Sequence, residues 1–406
     1  VAFPEHSPDR PVSGTGANKE EDIMNMRWTS IAAAGCLTLA APVGAQDIEL
    51  PDVIAWSAYD TGSAGHAHSI AIGNMMRNRY GTTIRVLPGR NDVSRMTPLK
   101  NDTVDYCLCG VTAAYFANEG VFLFAAREWG PQPIRLVLQG VGDYGVGIAA
   151  AADAGIETMA DLRGKRVGRP VSSPSIDINI EGLLAFANLT WDDVQVVEFS
   201  SYVNTLRGIL EDRVDAAFAL TTTTVNYQIE ASPRGLKWLE LPQDDTEAWA
   251  RYTSVTPFMN PHMVTVGPGI DPGNPIPMAR YPYPVLVTEA DQDATEVRNI
   301  VAAMDEGFDD YKDAAPGANA YALDRQILSW VMPWSEGSIA YFKEKGIWTE
   351  EAQENQDKFL NRQRVLGEAW DGFIETAPEG EEEFTAAWMK ARAGALEAAG
   401  YEVRFR

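Results

Sequence analysis

Residues 53–76 read VIAWSAYDTGSAGHAHSIAIGNMM. Val53–Ser57 is a short apolar run of strand type, Asp60-Thr-Gly-Ser-Ala-Gly65 is a loop of small residues, and the pattern from His68 to Met76 is helical. Strand, glycine-rich turn and helix together open an α/β unit. The same alternation continues outward. Strands are expected at Thr83–Leu87, Val104–Cys109, Arg135–Gly140, Val146–Ala150, Arg166–Gly168, Val194–Phe199 and Ala216–Thr221. Helices are expected near Ser175–Asn188 and Val203–Glu211, the second marked by Val203, Leu206, Ile209 and Leu210 at helical spacing. From about 245 to 285 the pattern loosens into Pro- and Gly-rich chain. A strand at Tyr283–Thr288 follows, then helices at Val297–Tyr311, Asp324–Val331 and Ser338–Lys345, and a charged helical tail containing Glu381-Glu-Glu383. The fold class this predicts is α/β, with two doubly wound lobes forming a clamshell and extra C-terminal helices. The expected boundaries are 51–143 for the first part of lobe 1, 144–262 for lobe 2, 263–350 for the return to lobe 1, and 351–406 for the extension.

The chain has 406 residues, enough for two lobes, and its 45% hydrophobic and 22% charged content excludes wholesale disorder. Lys and Arg number 33 against 57 Asp and Glu, a net charge of −24. Such a field repels phosphate backbones and anionic lipid, so nucleic acid is not an expected partner. Cys107 and Cys109 are separated by one residue, too close along a strand for an ordinary disulfide.

The N-terminal region reads as targeting sequence. In residues 24–45, Arg27 precedes an apolar stretch from Ile31 to Val43, and Val43-Gly44-Ala45 forms a small-residue cleavage site. The stretch is too short to span a bilayer. Residues 1–23, polar and rich in Pro and Gly, read as an upstream extension ahead of a true start at Met24 or Met26. The expected mature chain begins near Gln46 and is exported to the periplasm.

Several loops carry candidate binding groups. The loop at 60–65 offers free amides at a helix start, with Ser63 equally suited to capping that helix. A second loop, Arg169-Pro-Val-Ser-Ser-Pro-Ser175, follows another strand, and Ser173-Pro174 suits an N-cap and first turn. Gly89-Arg-Asn-Asp-Val-Ser-Arg95 places two arginines near a strand end, where a guanidinium can grip a carboxylate through two hydrogen bonds. Thr221 and Thr222 end a further strand. Ligands of open α/β sheets bind outside the carboxyl ends of strands, and two facing lobes each offer such an edge. Trp56, Tyr59 and Tyr106 lie on or beside these strands and serve either as cleft walls or as core. His66-Ala-His68 and Cys107-Leu-Cys109 have the wrong spacing for a shared helical metal site, and neither HExxH nor CxxC occurs. No GxSxG is present, and the 60–65 loop lacks both the GxGxxG spacing for dinucleotides and the Gly-Lys-Ser/Thr of a P-loop, so neither a metal nor a cofactor is expected.

In their order these pieces resemble the solute-binding subunit of TRAP transporters of the TAXI type. The matching segments are Thr61-Gly-Ser-Ala-Gly65, Asn91-Asp-Val-Ser-Arg-Met96, Asp105-Tyr-Cys-Leu-Cys-Gly110, Met159-Ala-Asp-Leu-Arg-Gly-Lys-Arg-Val-Gly168, Arg213-Val-Asp-Ala-Ala-Phe218 and Gly337-Ser-Ile-Ala-Tyr-Phe-Lys-Glu-Lys-Gly346. The resemblance implies a type II periplasmic-binding-protein fold, no catalysis, a small organic anion or amino acid as ligand, and TRAP membrane permease subunits as partners. It implies ligand contacts from Tyr59, Ser63, Ala64, Gly65, Asp92, Arg95, Gly110, Val111, Ser172, Ser173, Ser175, Thr221 and Thr222. Asp92 and Arg95 depart from the neutral polar residues usual in the family, and Gly110-Val111 replaces Gln-Ser. A monomer is expected, since one closing cleft needs no second chain. Two alternatives remain: a receptor subunit for signalling, and an exported enzyme using His66 or His68 as a base.

Overall fold

In the computed structural model, residues 48–329 and 331–405 are described. The expected leader at 24–45 and the extension at 1–23 lie outside them. The chain builds two sheets. The first contains β1 (Val53–Tyr59), β2 (Thr83–Gly89), β3 (Tyr106–Cys109) and β4 (Ile134–Gln139), interleaved with α1 (Ala64–Tyr80), α2 (Asp92–Lys100) and α3 (Val111–Glu119). The second contains β5 (Val146–Ala151), β6 (Arg166–Pro170), β7 (Gln195–Phe199), β8 (Ala216–Leu220) and β9 (Leu236–Trp238), with α4 (Pro174–Phe186), α5 (Tyr202–Leu210) and α6 (Thr224–Glu230). It is extended by α7 (Thr246–Val255), β10 (Asn260–Val264) and β11 (Ile276–Arg280). The chain then returns through β12 (Val285–Glu289) and continues into α8 (Ala294–Glu306), α9 (Phe308–Tyr311), α10 (Glu336–Glu344), α11 (Glu350–Ile374) and α12 (Glu381–Ala398).

The strand order of the first sheet is β2-β1-β3-β12-β4. β1 runs parallel to β2 and β3, and β12 is antiparallel to β3 and β4. The second sheet runs β10-β11-β5-β8-β6-β7, with β9 also on β5. There β6 is parallel to β7 and β8, while β5 and the edge strand β10 run in the reverse sense. Each sheet therefore holds a reversed strand fed directly from the other sheet, β12 in the first and β5 in the second. The crossings lie side by side: the Gly140 amide donates to Pro284 O at 2.8 Å and the Tyr283 amide to Gly140 O at 2.7 Å. The Tyr144 hydroxyl also donates to Tyr283 O.

Local chemistry sets the helix starts. Ser63 caps α1, Asn91 and Ser94 form a capping box on α2, and Ser201 caps α5. Gly81, at φ 76°, ends α1 in the left-handed region that glycine adopts without penalty. β3 and β8 are buried along their whole length, as expected of central strands covered on both faces. Cys107 and Cys109 are free thiols buried in β3.

Two segments differ from expectation. The stretch 245–285 is ordered as α7, β10 and β11 and keeps the chain with the second sheet through Arg280, past the boundary expected at 262. Its Pro261 obscures the strand pattern, yet β10 lies at the sheet edge, where a missing amide is tolerated. The helix expected at Asp324–Val331 is one 3₁₀ turn, Leu323–Arg325, that ends at an extended Gln326 and is followed by a turn at Leu328 and Ser329. The Gln326 side chain there takes the free amide and carbonyl of Gln139 on edge strand β4, at 2.8 and 2.9 Å. That pairing holds the backbone away from helix.

The C-terminal hairpin of α11 and α12 docks on the first lobe at the end of α3. Glu119, 1% exposed, receives the Arg362 guanidinium at 2.6 and 2.8 Å and also pairs with fully buried Arg392. Trp388 donates to Gly120 O at 2.7 Å. Removing one partner of a buried ion group strands the others without compensation. Glu119→Ala is expected to lower the unfolding free energy by about 3–5 kcal/mol, measured by urea denaturation, with faster proteolysis in 350–405.

Candidate functional site

The carboxyl ends of β1, β3 and β6 point towards one another across the line where the chain crosses between sheets. A small cavity lies there. Tyr59, Gly110 and Thr112 line it from the first lobe, Val146, Ser175, Ile176, Asn179, Tyr202, Phe218 and Leu220 from the second, and Tyr281 and Tyr283 from the connection. It is narrow: the centre of a water-sized sphere has about 10 Å³ in which to move, room for about one water.

Four tyrosines dominate the walls. Tyr59 meets Tyr202 and Tyr283 edge-on at 6.2 and 5.6 Å between ring centres, and Tyr283 meets Tyr281 at 6.2 Å. Burial raises the pKa of all four hydroxyls, that of Tyr202 to about 12, so each is a neutral donor and acceptor at ordinary pH. Tyr202 is fixed by Thr223 Oγ1 at 2.8 Å and by the Leu220 amide, which donates to its hydroxyl at 3.0 Å. Asn179 Oδ1 is buried without a hydrogen-bond partner among the described residues.

Beside the cavity lies a buried charged cluster. Asp92, first residue of α2, accepts from the Ser175 amide at 2.8 Å and from Ser175 Oγ at 2.8 Å, across the lobes. Arg95 pairs with the same carboxylate and lies 3.6 Å from the centre of the Tyr59 ring. Burial pushes the Asp92 carboxyl above its ordinary value, opposed by the Arg95 charge and the Ser175 hydrogen bonds. Asp60 is similarly raised by burial, opposed by the polar Ser201 and the positive Arg95 nearby.

The residues expected from sequence separate into groups. Tyr59, Gly110 and Ser175 line the cavity. Ala64 and Gly65 sit behind it: a Cβ at Gly65 would stand 3.2 Å from the Tyr59 ring and 3.6 Å from the Tyr283 hydroxyl. Asp92 and Arg95 face each other and Ser175, so the guanidinium is already engaged within its own lobe. Ser63 caps α1, accepting from the His66 amide at 3.1 Å. Val111 is buried in the first turn of α3, outside the cavity lining. Ser172, at φ 54°, is exposed, whereas Ser173 is buried with its hydroxyl unpartnered. Thr221 ties Gly145 N and Val266 O at 3.2 and 2.7 Å, and Thr222 is buried beside it.

Trp56 and Tyr106 belong to the core, 6.2 Å apart, with the Tyr106 hydroxyl on Glu296. His68 is held between Tyr321 and Pro316 O and is lowered to about 4 by burial, a neutral structural group. Among the described residues, no three His, Cys, Asp or Glu are grouped to hold a metal ion, and no helix is long and apolar enough to cross a membrane. Asn179, Tyr202, Tyr281 and Tyr283 were not among the expected site residues. The Tyr281-Pro-Tyr-Pro284 run just before the return strand is the one local signal that points to them.

Gly110 gives a direct probe of the wall. A Cβ there would lie 2.6 Å from the Tyr59 hydroxyl oxygen. Gly110→Ala is expected to cost about 1–3 kcal/mol through overpacking, read as a lower melting temperature. Tyr59→Phe in the same chain, lacking the obstructing oxygen, should recover part of the loss.

The family model "NMT1/THI5 like" matches residues 86–264. A comparison with curated proteins finds no match. Among solved structures, an ancestral arginine-binding protein bound to glutamine is similar at 12% identity over 65% of this chain and 98% of that one, with a TM-score of 0.41. The alkanesulfonate-binding protein SsuA from Xanthomonas axonopodis pv. citri, bound to MOPS, is similar at 12% identity over 74% and 96%, TM-score 0.40. The aliphatic sulphonate binding protein SsuA of Escherichia coli gives 13% over 75% and 97%, TM-score 0.40. At these values the similarities carry no ligand or partner across. The two strand orders, each with a reversed strand from the other lobe, and the extra C-terminal helices make the architecture that of a two-lobed periplasmic-binding-protein fold.

Proposed function

We propose that this chain is an exported solute-binding protein that closes two lobes on a small organic anion or amino acid and delivers it, chemically unchanged, to a membrane permease of the TRAP type. The observation that supports the reading is the convergence at the strand ends of hydrogen-bonding groups and apolar walls from both lobes and the crossing chain; the space between them, room for about one water as it stands, has to widen by parting of the lobes to admit a solute. A ligand touching both lobes binds the closed form better than the open one, and that difference in affinity drives closure. The walls suit a small molecule with polar ends: Ser175, Asn179 and the tyrosine hydroxyls offer directional hydrogen bonds, while Ile176, Phe218 and Leu220 supply apolar surface. Asp92 and Arg95 neutralise each other, so the pair presents no net charge to an incoming acid. The TRAP assignment, of the TAXI kind, rests on the ordered motifs from Thr61 to Gly346.

Native mass spectrometry of the purified protein, followed by denaturation and identification of what is released, tests the reading. A small acid or amino acid at near one-to-one is the expected result. A thermal-shift screen of amino acids and dicarboxylates is the second arm. With the ligand in hand, Asn179→Ala should weaken binding about three- to tenfold, the effect of one neutral hydrogen bond, measured by calorimetry. The finding of neither a bound compound nor any thermal shift would overturn the reading. Release of a chemically altered compound would overturn its non-catalytic part.

A further inference from the structure

The two lobes share a contact that involves no solute. Asp92 opens α2 in the first lobe, and Ser175 lies in the first turn of α4 in the second. The free amides at the start of a long helix are the groups with which a protein holds an anion. In α4, the Ser175 amide and the Ser175 hydroxyl are both engaged by the Asp92 carboxylate, each at 2.8 Å. The seat is fully enclosed: Asp92 and Arg95 are 0% exposed and Ser175 is 3% exposed. Arg95, laid on the Tyr59 ring, supplies the countercharge from the Asp92 side. In the same turn of α4 the Ser173 hydroxyl, 1% exposed, has no partner among the described residues.

We propose that Asp92 is a resident carboxylate: it fills the anion seat of the second lobe from the first lobe and so holds the lobes together without a solute. The seat itself selects a small carboxylate, and the protein carries one of its own. A second carboxylate can take this amide and hydroxyl together only by displacing Asp92, which now holds both. The proposal goes beyond the solute-binding reading and does not depend on it, because its test uses no solute.

The full chain is unfolded in guanidinium and refolded to strip bound compounds. Hydrogen exchange over residues 172–180 and small-angle scattering then compare wild type with Asp92→Ala. Exchange at the start of α4 is expected to rise about ten- to a hundredfold, the loss of a charge-assisted hydrogen bond, together with a larger radius of gyration. Sodium acetate at constant ionic strength should refill the emptied seat and restore protection in Asp92→Ala.

Unchanged exchange and radius in that variant would overturn the proposal. A rise in exchange that acetate does not reverse would overturn it as well, since Asp92 would then act by packing and not as a carboxylate. Should Asp92→Ala fail to fold, because Arg95 is left buried without its counterion, the double variant Asp92→Ala/Arg95→Met carries the exchange and scattering comparison with the same two outcomes.

Discussion

The chain passes between the two sheets twice, and the two passages are hydrogen-bonded to each other through Gly140, Tyr283 and Pro284. Everything at the cleft depends on this constraint. Each passage feeds a reversed strand into the opposite sheet, β5 in one direction and β12 in the other. With both crossings fixed side by side, the carboxyl ends of the parallel strands in the two sheets are brought to face one another. Loops after β1, β3 and β6 then meet at one place, and the helix starts they lead into converge there. A short hydrogen-bonded pair of connections also confines relative motion to rotation about that line, the geometry of a hinge.

The two fully buried carboxylates among the described residues are each paired with arginine. Asp92 has Arg95, and Glu119 has Arg362 and Arg392. Guanidinium suits the task because it is more weakly hydrated than ammonium and offers several donors in a plane. The net charge of −24 is therefore not a property of the cleft. An attraction or repulsion felt by a ligand inside is set by local pairs, while the global charge acts on solubility and on larger partners.

Much of the architecture was legible in the sequence because it is local. Strands such as Val146–Ala151 and Ala216–Leu220 are buried on both faces and read as continuous apolar runs. Tyr59, Gly110 and Ser175, which line the cavity, were among the expected residues because they lie within a residue or two of a strand end or a helix start, Gly110 through its place in the motif that carries the resemblance. Asn179 and Tyr202 lie inside helices, and Tyr281 and Tyr283 in proline-rich chain; only the long-range crossing brings them together. Ser172 shows the opposite limit. Its residue type and position fit a binding loop, yet a left-handed backbone at φ 54° turns it to solvent. Asp92 and Arg95 were visible as departures from a family pattern, but their attachment to Ser175 is a tertiary fact.

The lobes differ in how they are assembled from the chain. All strands of the second sheet fall between Val146 and Arg280, a continuous run. The first sheet needs β1 to β4, then β12 from beyond that run, and its surface is completed by helices reaching to Ala398. Loop-closure entropy rises with the length of chain enclosed, and contacts distant in sequence form late. During synthesis, the second lobe holds all its strands once residue 280 has emerged. The first lobe must wait for the far end of the molecule, because the Glu119 carboxylate has no cation until α11 and α12 arrive. The C-terminal hairpin is thus the last piece of a core, and its arrival marks the point at which the first lobe is complete.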